Sequence, residues 1–264
     1  MQSILPGLQK LTALGLLTLI TGCAQSEIGP ATPDAQAHAV APDQPTPDFA
    51  PGDWRVLRVA GDPEAELEVM PGKTKAGDDA PYYRAGRAAI SAALADGYAP
   101  PTPPGAIELK VYAPYRQAIV ETQRGEGSAF WPLFQHIQSR DIAMTAPVVM
   151  TGAMAGDNAD QSSMAFLYRS PELGPTGEAE RGIIVEDTPH TTVLSMGFIG
   201  RENRQRLSEL RTDLDQWLAD QQGPDHWVID GEARLLGYNG PDTPRRDQWW
   251  ELQLPVRWAT DSPE

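Results

Sequence analysis

The chain has little with which to cross-link itself, ligate a metal or hold a polyanion. Its 264 residues include one Cys, so an intrachain disulfide is impossible, and thiolate zinc clusters and Cys-pair redox motifs are excluded. Positive charge is scarce, with 21 Lys plus Arg against 36 Asp plus Glu and a formal net charge of -15. Nucleic-acid backbones are bound by clustered cations that release counterions, so this field excludes nucleic acid as a partner. Long apolar runs are missing as well. The run from Leu11 to Ile20 is ten residues long, about half of the ~20 that a membrane-spanning helix needs. There is no Gly-x-Ser-x-Gly elbow, no His-Glu-x-x-His and no phosphate loop, so no catalytic residue is assigned and the chain reads as a binder rather than an enzyme. What it does have is 41% hydrophobic residues and seven Trp, enough for a packed core.

The lone Cys sits where an export signal ends. Ile20-Thr21-Gly22-Cys23 resembles the lipobox of bacterial lipoproteins. That resemblance implies a signal peptide over 1–22 and a diacylglyceryl group on Cys23. Two or three acyl chains of the palmitate type, each methylene contributing ~0.8 kcal/mol, would then hold the protein at a membrane. Ala24 in place of Asp implies the outer membrane, facing the periplasm. Residues 23–52 carry Pro30, Pro33, Pro42, Pro45, Pro47 and Pro51 and bury little, so they read as a disordered tether. The globular part spans 53–264, a size suited to one domain and a monomer.

Within it, the alternation of Trp54 to Val59 predicts an edge strand. Asp79 as cap, Pro81 in the first turn, an Ala-rich body and Gly97 after the end predict a helix from Asp79 to Gly97, inside an insertion over 73–105. The main organisational feature is an approximate repeat. Ile107 to Val120, centred on Pro114, is matched by Ile183 to Ser195, centred on Pro189. Each unit leads into an amphipathic helix, one over about 128–138 and one over about 201–221. Two more strands follow each helix: Ile142 to Met150 and Ser163 to Tyr168, then Ala233 to Tyr238 and Trp249 to Pro255. Two such units, over about 107–170 and 183–256, predict an α+β fold: a distorted antiparallel β-barrel of two pseudo-symmetric strand-helix-strand-strand repeats, flanked by two main helices and related by a rotation near 180°.

Ile142-Ala143-Met144-Thr145-Ala146-Pro147-Val148 resembles the signature of the SOUL heme-binding protein family. Glu108-Leu109-Lys110-Val111-Tyr112, Met164-Ala165-Phe166-Leu167, Phe198-Ile199-Gly200 and Gly237-Tyr238-Asn239 with Pro241 and Pro244 fit the same pattern, which covers about 107–256. The link Gln138-Ser139-Arg140-Asp141 is shorter than the family's, and Asp247-Gln248-Trp249-Trp250 departs from its closing pattern. The resemblance implies non-covalent binding of heme or a similar hydrophobic molecule in an apolar cleft between the first helix and the Met144 strand. Phe134 and Met144 would meet the ring, and Arg140 would pair with a propionate.

Iron accepts His, Met, Tyr or Cys ligands. His136 lies about 120° from the centre of the first helix's apolar face at ~100° per residue, and is the weak candidate for the metal. His38, His190, His226, Met150 and Met164 have weaker claims, and Lys110, Arg116 and the Arg245-Arg246 pair are further cations for a carboxylate. Glu251, in an otherwise apolar strand beside Trp249 and Trp250, is an acid whose pKa burial would raise. Related gyrase-inhibitory-protein-like domains include hydrolases with such an acid, so a small hydrolase of a hydrophobic molecule is one alternative function. A structural or partner-docking lipoprotein is the other.

Overall fold

The structure, a computed structural model, describes residues 54–123, 129–157, 161–221 and 226–259. The leader, Cys23, the tether with His38 and the expected first residue of the first helix, Ser128, lie outside the described residues. The described chain builds an α+β fold of fourteen strands and two helices. In order these are β1 (Arg55–Gly61), β2 (Glu68–Met70), β3 (Tyr82–Ala85), β4 (Ala88–Ala89), β5 (Ala106–Tyr112), β6 (Arg116–Gln123), α1 (Phe130–Ser139), β7 (Val148–Thr151) and β8 (Gln161–Leu167). They continue with β9 (Gly177–Glu178), β10 (Ile183–Asp187), β11 (Thr191–Ile199), α2 (Arg204–Ala219), β12 (His226–Ile229), β13 (Arg234–Gly237) and β14 (Trp249–Ala259).

Eleven strands form one antiparallel sheet in the order β1-β5-β11-β14-β13-β7-β8-β6-β10-β9, with β12 added on β14. This is an open path, where the repeats predicted closure into a barrel. The order reads the same from both ends once each element is exchanged for its counterpart: β5 for β10, β11 for β6, β14 for β8 and β13 for β7. The pseudo-twofold relation therefore passes between the neighbouring strands β7 and β13, which pair from Val148↔Gly237 to Thr151↔Arg234. The first strand of each unit pairs with the second strand of the other, β5 on β11 and β10 on β6, so neither repeat has a complete sheet alone.

Alternation along the strands sends side chains to two faces. On the outer face α1 packs Leu133 and Ile137 against Ala118, Phe166 and Ile183, and α2 packs Leu207, Leu210 and Leu214 against Leu194, Phe198 and Leu252. Asn203 caps α2, its side chain accepting from the Arg206 amide at 2.9 Å.

The inner face is covered by the segment preceding β5, and here the expected helix from Asp79 to Gly97 is corrected. Tyr82 to Ala89 form the hairpin β3–β4 of a separate three-stranded sheet with β2. Gly86, at φ 57°, turns that hairpin in two residues, as a position with positive φ allows. Residues 90–102 then run as a strap over the sheet, where Ala92, Ala95, Tyr98 and Ala99 pack against Tyr112, Tyr115, Leu236 and Trp249. Alanine serves this close approach because it has little to clash, and the same property that gives it high helix propensity misleads a reading by composition.

The strap crosses β11 at Gly197. A Cβ there would sit 2.1 Å from the Thr102 carbonyl oxygen and 2.7 Å from that of Pro103, both backbone atoms. Gly197→Ala is expected to destabilise the fold by about 1–3 kcal/mol, the usual cost of overpacking a core. A urea denaturation midpoint identical to that of the parent protein would show that the strap is not held against β11.

Candidate functional site

A cleft of about 260 Å³ opens between α1, the segment leading into β7 and the loop after β13. Its walls are apolar: Phe130 and Phe134 from α1, then Met144, Ala146 and Val148. The i, i+4 spacing of the two phenylalanines puts them on one helical face, where their rings stack at 5.7 Å between centroids. Phe130, Phe134, Met144 and Val148 are each half-buried, so their edges remain available to a ligand. The segment preceding β5 closes one side, through Lys75 and Ala76 between β2 and β3 and through Ser91 and Ala92 of the strap, and Asn239 to Asp242 close another. At the mouth Lys75 Nζ pairs with Asp242 at 2.6 Å, and both side chains are exposed. The Lys75 ammonium beside it holds the Asp242 carboxyl below its usual pKa.

Two of the sequence-predicted site residues, Phe134 and Met144, meet in this cleft. The other two, His136 and Arg140, do not line it. His136 is 1% exposed, with Nδ1 3.0 Å from Glu180 Oε1 and Nε2 2.7 Å from the Tyr168 hydroxyl. A carboxylate only accepts, so Nδ1 donates to Glu180; in the neutral ring Nε2 then accepts from Tyr168 and has no lone pair left for iron. Arg140 makes a two-pronged pair with Glu180, both contacts at 2.7 Å. That pair, with the backbone and His136, lowers the Glu180 pKa to about 2. Arg116 is likewise engaged, with Asp187 at 2.7 Å.

Lys110 and Glu251 form a second polar centre, sealed beneath the strap with 0% exposure each. Lys110 Nζ donates to both Glu251 oxygens, at 3.1 and 3.2 Å, and to the Pro100 carbonyl at 2.6 Å. Glu251 also accepts from the Thr102 amide at 2.5 Å, from the Ser195 hydroxyl at 2.8 Å, and from Tyr238 and Gln253 at 2.7 Å. Burial alone would raise its pKa, as the sequence reading expected. The structure reverses the sign, because the Lys110 charge and these donors outweigh desolvation and hold the carboxyl below its ordinary value. A carboxylate with all its lone pairs committed and no path to solvent has no free site from which to take a proton, so its geometry is that of a core clamp.

Sequence reasoning missed Ser91 and Ala92, because they belong to the strap that was read as a helix, and Lys75, which lies between β2 and β3 in the stretch read as an insertion. Gly86 and the β-forming Tyr82-Tyr83 pair were the available signal. Asn239 and Pro241 did stand in the expected closing loop.

A mainly antiparallel α+β protein with an apolar cleft beside its first helix has an architecture that can host a small-molecule site. The sequence profile of the SOUL heme-binding protein family matches residues 100–248, more than half of the chain, and the chain belongs to that family. No curated protein matches it closely enough to count as a relative. Among solved structures, EcmrR in complex with DNA is similar at 16% identity and a TM-score of 0.45, over 57% of this chain and 57% of that one. The chain thus spans little more than half the length of EcmrR, but it covers 96% of the separate EcmrR C-terminal domain, at 16% identity and a TM-score of 0.42. A hydrolase from Listeria innocua is similar at 8% identity and a TM-score of 0.44, over 57% of this chain and 91% of that one. At this level of likeness none of the three bears on function.

Proposed function

We propose that the protein binds a planar hydrophobic ligand of the tetrapyrrole class, heme foremost, and that it does so by apolar contact rather than by ligation of iron. The observation that carries this reading is the wall of Phe130, Phe134, Met144, Ala146 and Val148, which lies on the family's signature segment and on the helix before it. The lining fits an apolar ring, with Lys75 placed to meet a carboxylate once it leaves Asp242. It fits iron poorly. It contains no His or Cys, its Tyr238 hydroxyl already donates to Glu251, and only the Met144 thioether remains. Heme, if bound, would supply its own redox chemistry; the chain's residues would hold the ring, shield one face from water and neutralise one propionate. The sealed state of Glu251 favours this non-catalytic reading over hydrolysis.

Hemin and metal-free protoporphyrin are therefore expected to bind with affinities within about threefold of each other, as read by Trp fluorescence quenching. Hemin binding a hundredfold tighter would mean that the protein ligates iron, and no binding of either would remove the tetrapyrrole class.

We place the domain in the cell envelope, tethered by residues 23–52 to a lipid on Cys23. Cys23→Ser should move the protein from the membrane to the soluble periplasmic fraction. A parent protein that is already soluble and keeps residues 1–22 would end the lipoprotein reading.

A further inference from the structure

The pseudo-twofold relation of the sheet carries more than the fold. It exchanges α1 for α2, the approach to β7 for the approach to β13, and the loop after β13 for the turn after β7. The apolar cleft is built from the first member of each of these pairs. The second members also enclose a cleft, of about 230 Å³. Its lining comes from α2 (Arg204, Leu207, Ser208, Arg211), from Ala233 just before β13, from Ala155 to Asp157 after β7, and from Leu252.

The two clefts share a frame and differ in how their charges pair. In the first, Lys75 and Asp242 cancel each other at the mouth. In the second, Arg211 is held by Asp215 and stands near Asp157, which leaves Arg204 as the lining cation without an acidic partner among the described residues. The two arginines are seven residues apart on one helix, so they lie along one face two turns apart, with Leu207 and Ser208 between them. Arg211 is already committed, its Nε to Asp215 at 2.9 and 3.0 Å, with Nη1 3.8 Å from Asp157. Arg204 is exposed and makes no ion pair among the described residues. The floor below them, Ala155, Leu207, Ala233 and Leu252, is apolar and buried. Gly156, at φ 93°, brings the turn within 3.4 Å of Leu207 for a Cβ placed there, which shows how closely this wall approaches the helix.

We propose that this second cleft is a ligand site for an amphipathic anion of the medium-chain carboxylate class, with the chain over Leu207 and Leu252 and the carboxylate on Arg204. A guanidinium facing outward from an apolar floor selects both the head and the tail of such a molecule. The site is independent of tetrapyrrole binding in the first cleft.

Octanoate titrated into the purified protein is expected to shift the NMR signals of the Arg204 side chain and the Ser208 amide saturably, whereas octylammonium leaves them in place. Arg204→Glu should weaken octanoate at least fivefold. Ser208→Trp, at an exposed helix position that lines the cleft, should abolish saturation by filling it. Both variants should keep the parent's melting temperature and its hemin affinity, which separates failure of this site from failure of the first. Shifts that do not saturate, equal binding of octylammonium, or undiminished octanoate affinity in both variants would overturn the proposal.

Discussion

Replacing Lys110 by Met is expected to cost about 3–5 kcal/mol of stability, because it strands a buried carboxylate without its counter-charge. Glu251 would keep its donors from Thr102, Ser195, Tyr238 and Gln253 but lose the Lys110 charge, the largest influence holding its pKa down against desolvation. The pH dependence should then change sign. In the parent protein the Glu251 pKa lies below its ordinary value of 4.5. Its contribution to stability is therefore present above about pH 4.5 and is lost as the pH falls through the folded-state pKa. In the variant, burial should raise the folded-state pKa above the unfolded one, so this group's contribution improves as the pH drops towards the unfolded value. Urea denaturation of both proteins between about pH 3 and pH 7 measures the two slopes. The double variant Lys110→Met with Glu251→Leu should recover part of the loss, since an apolar pair of similar volume often replaces a buried ion pair at little cost. A single variant as stable as the parent across this range would mean that the charge pair does not hold the strap to the sheet.

That clamp shows which parts of the protein a sequence can disclose. Glu251 stood out because an acid beside two Trp residues on an apolar strand has to be explained. Its neighbour Lys110 is 141 positions away in the chain, so the sign of the pKa change was fixed by a contact that no local pattern carries. His136 behaves similarly. Its offset from the apolar face of α1 gave no sign of burial, yet Tyr168 and Glu180, from 32 and 44 positions away, offset the cost of burial by bonding both ring nitrogens. By contrast, the stripe of Leu207, Leu210 and Leu214 on α2 was readable directly, since a 3.6-residue period means a buried helical face wherever the rest of the chain lies. The repeat was legible for the same reason. The open path of the sheet was not, because pairing each unit's first strand with the other unit's second strand is a long-range choice.

Within the cleft, Met144→Asp is expected to lower hemin affinity about a hundredfold, equivalent to ~2.7 kcal/mol. The carboxylate would have to lie against the apolar ring, with its charge stripped of water on that side and no cation in the wall but Lys75, which already pairs with Asp242. Phe134→Ala should cost less, about tenfold, because it removes one ring of a stacked pair and leaves Phe130 in place. His136→Ala should leave the Soret band of the complex unchanged while it lowers the melting temperature, since His136 faces Tyr168 and Glu180 rather than the cleft. Met144 and Phe134 are half-buried, so their variants should retain the parent's circular dichroism spectrum. Unaltered hemin affinity in both, with the fold intact, would move the ligand out of this cleft. A changed Soret band in His136→Ala would mean that the helix turns to bring its imidazole to the iron, and that ring contact alone does not describe the binding.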